Sequence, residues 1–254
     1  MWASPDRGRR AAASCRAAIS CAVVLVGAAA CGAVHQGPSA PATPTANPLA
    51  GLTADQIARK AIADLAVVSS VRITGSVGQD DQAASVDLTV STKGCQETLR
   101  IPGPGSLVII AIGNTTWSKM DGLFWRQMAG MFPAKVRRYV AGKYLQTPDV
   151  PGGMTDLCGK GQVASSFGAE LKDLATAKIT TISGRPALQL ADKRHTTSAY
   201  VTMSARPEFL RLDVSGQEHV VFTGYNQPVT ITPPPADDTV TEAQLGALDR
   251  QAAG

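Results

Sequence analysis

Five cysteines, three histidines and twenty carboxylates are the side chains of this 254-residue sequence best suited to chemistry. Thiols serve as metal ligands in Cys-x-x-Cys pairs, as nucleophiles beside a base, as disulfide partners and as acylation sites. Cys15, Cys21, Cys31, Cys95 and Cys158 include no Cys-x-x-Cys pair, and neither Gly94-Cys95-Gln96 nor Leu157-Cys158-Gly159 holds a neighbour that would lower a thiol pKa. No Gly-x-Ser-x-Gly elbow, His-Glu-x-x-His helix or Gly-rich loop closed by Lys-Ser/Thr is present. His35 lies in a Pro-rich stretch, His195 in a turn and His219 at a strand start, while Asp80-Asp81 and Asp237-Asp238 read as solvated carboxylates. The chain is therefore read as a non-enzyme, with no catalytic residue, metal site or cofactor expected.

What remains is chemistry done to the chain. Arg7, Arg9, Arg10 and Arg16 precede the apolar run Ala17–Val26, which ends in the small residues Gly27-Ala28-Ala29-Ala30 before Cys31-Gly32. Basic, then apolar, then small is the order of an export signal. Small residues directly before a cysteine resemble the bacterial lipobox, in which that thiol receives diacylglycerol and becomes the new N-terminus; Ala28 stands where the pattern usually has Leu. Residues 1–30 are assigned to a lipoprotein signal peptide and Cys31 to lipidation, with plain cleavage after Ala28-x-Ala30 as the alternative. Residues 31–50 form a tether in which Pro38, Pro41, Pro44 and Pro48 alternate with Ser and Thr, a composition that stays extended. The formal charge of +4 belongs largely to the signal, which carries four arginines and one aspartate, so no nucleic-acid partner is expected. Lys135, Arg137, Arg138 and Lys143 form one local basic cluster, read as a solvated helix face or as a patch for anionic headgroups. In an exported domain Cys95 and Cys158 are expected to pair, closing a loop of roughly 60 residues worth about 4 kcal/mol in the chain-entropy model.

The elements that must position all this follow from periodicity. Thr53 as N-cap with Gln56 three residues on forms a capping box, and Ile57, Ala61, Leu65 and Val68 follow at helical spacing. From Val71 the period becomes two: Val71–Val77 and Ser85–Ser91 read as a hairpin, Cys95–Ile101 continues it, and Ser106–Asn114 returns along Thr115–Met120. Short helices are predicted near Pro133–Val140 and over Ala164–Leu174. Strands resume over Lys178–Ser183, Arg185–Ala191, Ser198–Ser204, Phe209–Val214, Val220–Tyr225 and Val229–Thr232. The fold class is α+β: an antiparallel sheet of ten or eleven strands with two or three helices. Its domain spans 51–236, and 237–254, with a helical pattern over Thr241–Leu248, is taken as a flexible tail.

Such a sheet presents a concave face on which partly plugging helices leave an apolar cavity. Leu107, Ile109, Trp117, Met120, Phe124, Trp125, Met128, Met131 and Phe132 are the candidate lining, Met being suited to irregular acyl chains. The lipobox, the tether, the opening helix, Thr116-Trp117, Leu123-Phe124-Trp125, Gly142-Lys143-Tyr144, Ser183-Gly184-Arg185-Pro186-Ala187 and Pro228-Val229-Thr230-Ile231 together resemble actinobacterial lipoproteins of the LppX/LprG type. That group is similar in fold to the lipoprotein carriers LolA and LolB, so the resemblance implies a curved antiparallel sheet forming an unclosed half-barrel covered by two or three helices. The resemblance implies a lipid-anchored extracytoplasmic protein, on the outer face of the cytoplasmic membrane, that binds an acyl-chain lipid or lipidated molecule for transport or presentation. The alternative is an anchored interaction or sensor module that holds an envelope protein partner and binds no lipid.

Overall fold

Thr53 caps the first helix as its sequence demands: its Oγ1 accepts from the Gln56 N–H at 3.2 Å, and the Gln56 side chain accepts from the Thr53 N–H at 2.8 Å. The computed structural model describes residues 47–78, 82–127, 133–148, 159–214 and 218–250. Helix α1 (Ala54–Val67) buries Ile57, Ala58, Ala61 and Leu65. The strands are β1 (Ser70–Val77), β2 (Ala84–Ser91), β3 (Gly94–Ile101), β4 (Gly105–Ile112), β5 (Thr115–Met120), β6 (Tyr144–Pro148), β7 (Leu174–Ile182), β8 (Arg185–Asp192), β9 (Thr197–Thr202), β10 (Phe209–Val214), β11 (Glu218–Thr223) and β12 (Thr239–Thr241). Further helices are α2 (Gly122–Gln127), α3 (Ala134–Val140), α4 (Lys160–Glu170) and α5 (Glu242–Arg250).

All twelve strands join one sheet in the order β12-β6-β5-β4-β3-β2-β1-β11-β10-β9-β8-β7. Its edges, β12 and β7, do not meet, so the sheet is an unclosed one, as the resemblance implies. Every neighbouring pair is antiparallel except β12 with β6, which run parallel. Among the described residues, twelve strands and five helices exceed the ten or eleven and two or three foreseen, because β6, β12 and α2 are too short to show a period.

Residues opposite one another in a ladder share a face, so the register divides the sheet into an inner and an outer side. The inner side carries the main core: Val71, Ile73, Val90, Leu188, Leu190, Val201, Leu212 and Phe222 pack with α1 and with Val163 and Ala164 of α4. Leu49, only 2 % exposed, joins this core, so the folded unit begins before residue 51. A second, smaller cluster joins Trp125 of α2, Val140 of α3 and Val240 of β12, with Met120, Tyr139 and Leu245 against it.

Three expectations are corrected. The helix foreseen over Ala164–Leu174 is α4, which starts at Lys160 and ends at Glu170; Asp173 then takes φ 55°, and Leu174 opens β7 with its N–H donated to Asp55 Oδ1 at 3.0 Å. Val229–Thr232 is no strand. Flanked by Pro228 and Pro233, it crosses the outer side, where Val229, Thr230 and Ile231 line a depression with Arg72, Asp87, Thr89, Gln96 and Thr98. Its start is pinned by Asn226, whose Oδ1 accepts from the Ser69 N–H at 2.8 Å, and by Gln227, whose carbonyl accepts from Ser70 Oγ at 2.7 Å. Residues 237–250, taken as a flexible tail, instead dock on the far sheet edge with Val240 1 % exposed. Thr241 and Gln244 repeat the capping box of α1, with Thr241 N–H donating to Gln244 Oε1 at 2.8 Å and Gln244 N–H to Thr241 Oγ1 at 3.3 Å.

Candidate functional site

Three cross-strand rows on the inner side define the site. The first, Val71–Val90–Cys95–Ala111–Thr116, is set by the ladders of β1 through β5 and is closed to solvent throughout, none of its members being more than 4 % exposed. The second runs Phe222–Ile73–Leu88–Glu97–Ile109–Ser118–Leu145–Val240. The third runs Leu212–Val220–Gly75–Val86–Leu99–Leu107–Met120.

In this third row Val86, Leu99, Leu107 and Met120 are only half-buried. Those four positions span about 14 Å at a strand spacing of ~4.8 Å, close to half the ~30 Å hydrocarbon core of a bilayer. Toward β10 the row passes into a cleft of about 210 Å³ between α4 and the sheet, lined by Val77, Phe167, Leu212, Val214 and Val220 together with Ser166, Glu170 and His219. Gly75 permits the close approach of β1 and β11 there: a Cβ at this position would stand 2.0 Å from the His219 carbonyl oxygen. The main core holds one end of the rows and the Trp125 cluster the other. Among the described residues, Leu99 and Leu107 belong to neither. The result is an apolar groove between two helical covers.

The sequence-predicted lining divides. Leu107, Ile109 and Met120 lie on the inner side, and Ile109 is buried there. Trp117 does not: it pairs with Ile110 and Gln146, one residue out of phase with Ile109 and Met120, and so points to the outer side. Strand alternation decides this, and the aromatic content of the segment conceals it. Trp125 is committed to the second cluster, and Phe124 is half-buried in α2, its N–H donated to Asp121 Oδ1 at 2.9 Å. Met128, Met131 and Phe132 lie outside the described residues, as does Cys31. Val86, Leu99 and Phe167 were missed; the even phase of β2 and the odd phase of β3 carried the signal for the first two.

Glu97 is the one ionisable side chain of the three rows. It is half-buried between Leu88 and Ile109, and burial pushes its carboxyl pKa up. By contrast Asp87, on the outer side, accepts from Arg72 Nε at 2.9 Å and Nη2 at 2.7 Å, which holds its carboxyl below the usual value. Cys95 is fully buried in the first row and is not a free thiol. Cys158 lies outside the described residues, but Gly159 lines the same depression as Cys95 and Ala111. In the basic cluster, Lys143 Nζ sits 5.5 Å from the centroid of the Tyr139 ring. Among the described residues no group of three or more His, Cys, Asp or Glu could hold a metal ion, and no helix is long and apolar enough to cross a membrane.

No family model and no curated protein matches the sequence. Its structure is similar to solved mycobacterial ones. LprF from Mycobacterium bovis is 12 % identical, with 72 % of this chain and 97 % of that one covered at a TM-score of 0.47. Lipoprotein LppX from Mycobacterium tuberculosis is 11 % identical, with 70 % and 98 % covered at a TM-score of 0.42.

Proposed function

We propose that this protein is a membrane-anchored extracytoplasmic lipoprotein that binds an acyl-chain lipid or lipidated molecule in the inner-side groove, for transport or presentation. In this reading Cys31 carries the lipid anchor at the outer face of the cytoplasmic membrane, residues 31–50 are the tether, and a Cys95–Cys158 disulfide ties β3 to the chain entering α4. One observation carries the reading: a continuous apolar row, Val86–Leu99–Leu107–Met120, stays half-exposed while the neighbouring row Val71–Val90–Cys95–Ala111–Thr116 on the same side is closed. Burying a chain along it yields roughly 25 cal/mol per Å² of apolar surface removed from water, so affinity needs no covalent chemistry. Polar groups at the rim then choose the headgroup.

Native mass spectra of the exported chain before and after organic extraction test this. A stoichiometric mass loss matching a lipid is expected; a single apo mass that does not shift on adding membrane lipid extract would refute the carrier reading. That second result would favour an anchored interaction module with an envelope protein partner. Its supporting observation is that Trp125 and Met120 spend their apolar surface on the chain's own second cluster. Crosslinking in the envelope would then recover the partner.

A further inference from the structure

Across β1 to β5 the three inner rows are apolar where they are not small or hydroxylated, with one exception. Glu97 stands at the position in β3 where alternation calls for a hydrophobic residue: Cys95 and Leu99 flank it on the same face, and Leu88 and Ile109 face it across the ladders. Among the described residues no hydrogen bond or ion pair engages its carboxylate, and the three salt bridges lie elsewhere, at Lys60–Asp64, Arg72–Asp87 and Arg211–Asp213. A half-buried carboxylate with apolar neighbours and no donor costs stability that a leucine would not. Glu97 also lies in the row directly beside the half-exposed Leu99 and Leu107, at the boundary between the closed part of the sheet and the groove.

We propose that Glu97 reads the polar end of the lipid held in the groove, accepting a hydrogen bond from a hydroxyl of an uncharged headgroup and disfavouring anionic ones. The inference rests on the lipid-binding reading and deepens it. A hydroxyl supplies the donor that Glu97 lacks, and hydrogen bonds to a charged acceptor in a partly desolvated site are stronger than neutral ones. A carboxylate or phosphate headgroup in the same place would set two like charges side by side with little water between them. The directly facing residues, Leu88 and Ile109, offer no cation to relieve that repulsion. Ser118, one strand beyond Ile109 in the same row, is the next polar side chain.

The test compares two ligands of one chain length, monopalmitoylglycerol and palmitate, on the full exported chain at neutral pH. Wild type is expected to prefer the uncharged ligand by about tenfold or more, the worth of one charge-assisted hydrogen bond gained or one repulsion avoided. Glu97→Gln, which keeps the shape, should narrow that preference to within about threefold, chiefly by gaining affinity for palmitate. Glu97→Leu should bind both ligands with little discrimination and should melt higher than wild type. A preference unchanged in both variants would overturn the role of Glu97 while leaving the groove intact. Failure of wild type to bind either ligand, with Leu107→Trp making no difference, would sink the groove reading and this inference with it.

Discussion

Two stretches of one sheet face differ in everything except residue type. Val90, Cys95 and Ala111 lie beneath the main core and are at most 1 % exposed, whereas Val86, Leu99 and Leu107, on the same strands and facing the same way, are half-exposed. Alternation placed both sets inward. Only the reach of the helices separates them: α1 and α4 cover the first row, α2, α3 and α5 gather over Trp125 and Val240, and neither group accounts for Leu99 and Leu107. The difference teaches that a closed core and an open apolar strip can share one hydrophobic pattern, and that what lies over it sets them apart.

Substitutions can break or sharpen that contrast. The largest expected effect is loss of the proposed bridge. Cys158→Ser should destabilise the domain by about 4 kcal/mol through a looser unfolded chain, read as a lower denaturation midpoint that reductant no longer shifts. Next, Leu190→Ala in the closed core should cost about 3 kcal/mol, and Leu99→Ala at the groove less than half of that; equal losses would mean that the groove is packed like the core. Leu107→Trp, which fills the groove, should leave the melting temperature within a few degrees while abolishing lipid uptake.

The two contrasting carboxylates give smaller effects, with opposite pH signs. The Asp87 carboxyl is held low by Arg72, so its contribution is present above the usual carboxylate range and is lost as pH falls through its lowered value; Arg72→Ala should remove well under ~1 kcal/mol near neutrality, since the pair is exposed. The Glu97 carboxyl is held high by burial, so the folded state binds the extra proton and stability falls as pH rises through its raised value. Glu97→Gln should therefore stabilise the protein at pH 8 and lose that advantage in acid, near and below the ordinary value of 4.5. Parallel melting curves at both pH values would refute the placement of Glu97 on the inner side.

Much of this was legible in the sequence where local physics decides. The Thr53–Gln56 capping box fixed the start of α1, and the period of two over Val71–Val77 and Ser85–Ser91 fixed a hairpin with one dry face, because caps and alternation act within a few residues. The helical pattern over Thr241–Leu248 was legible too, and Thr241 and Gln244 repeat the box; that the segment docks on the sheet edge was not, because the three prolines before it suggested a loose tail. Leu171 and Leu174 fit a helical stripe with Phe167, yet both are buried outside the helix, because apolar spacing cannot tell the last turn of a helix from the chain that follows it into a strand.

The sequence alone determined the alternating strands, their antiparallel pairing as hairpins and the opening helix, all of which depend on neighbours in the chain. Tertiary structure decided that Trp125 joins a second core with Val240, that residues 237–250 dock on the far edge beside β6, and that Leu99 and Leu107 are left outside both clusters. Those outcomes depend on which strands and helices from distant parts of the chain meet, and no local period encodes the meeting.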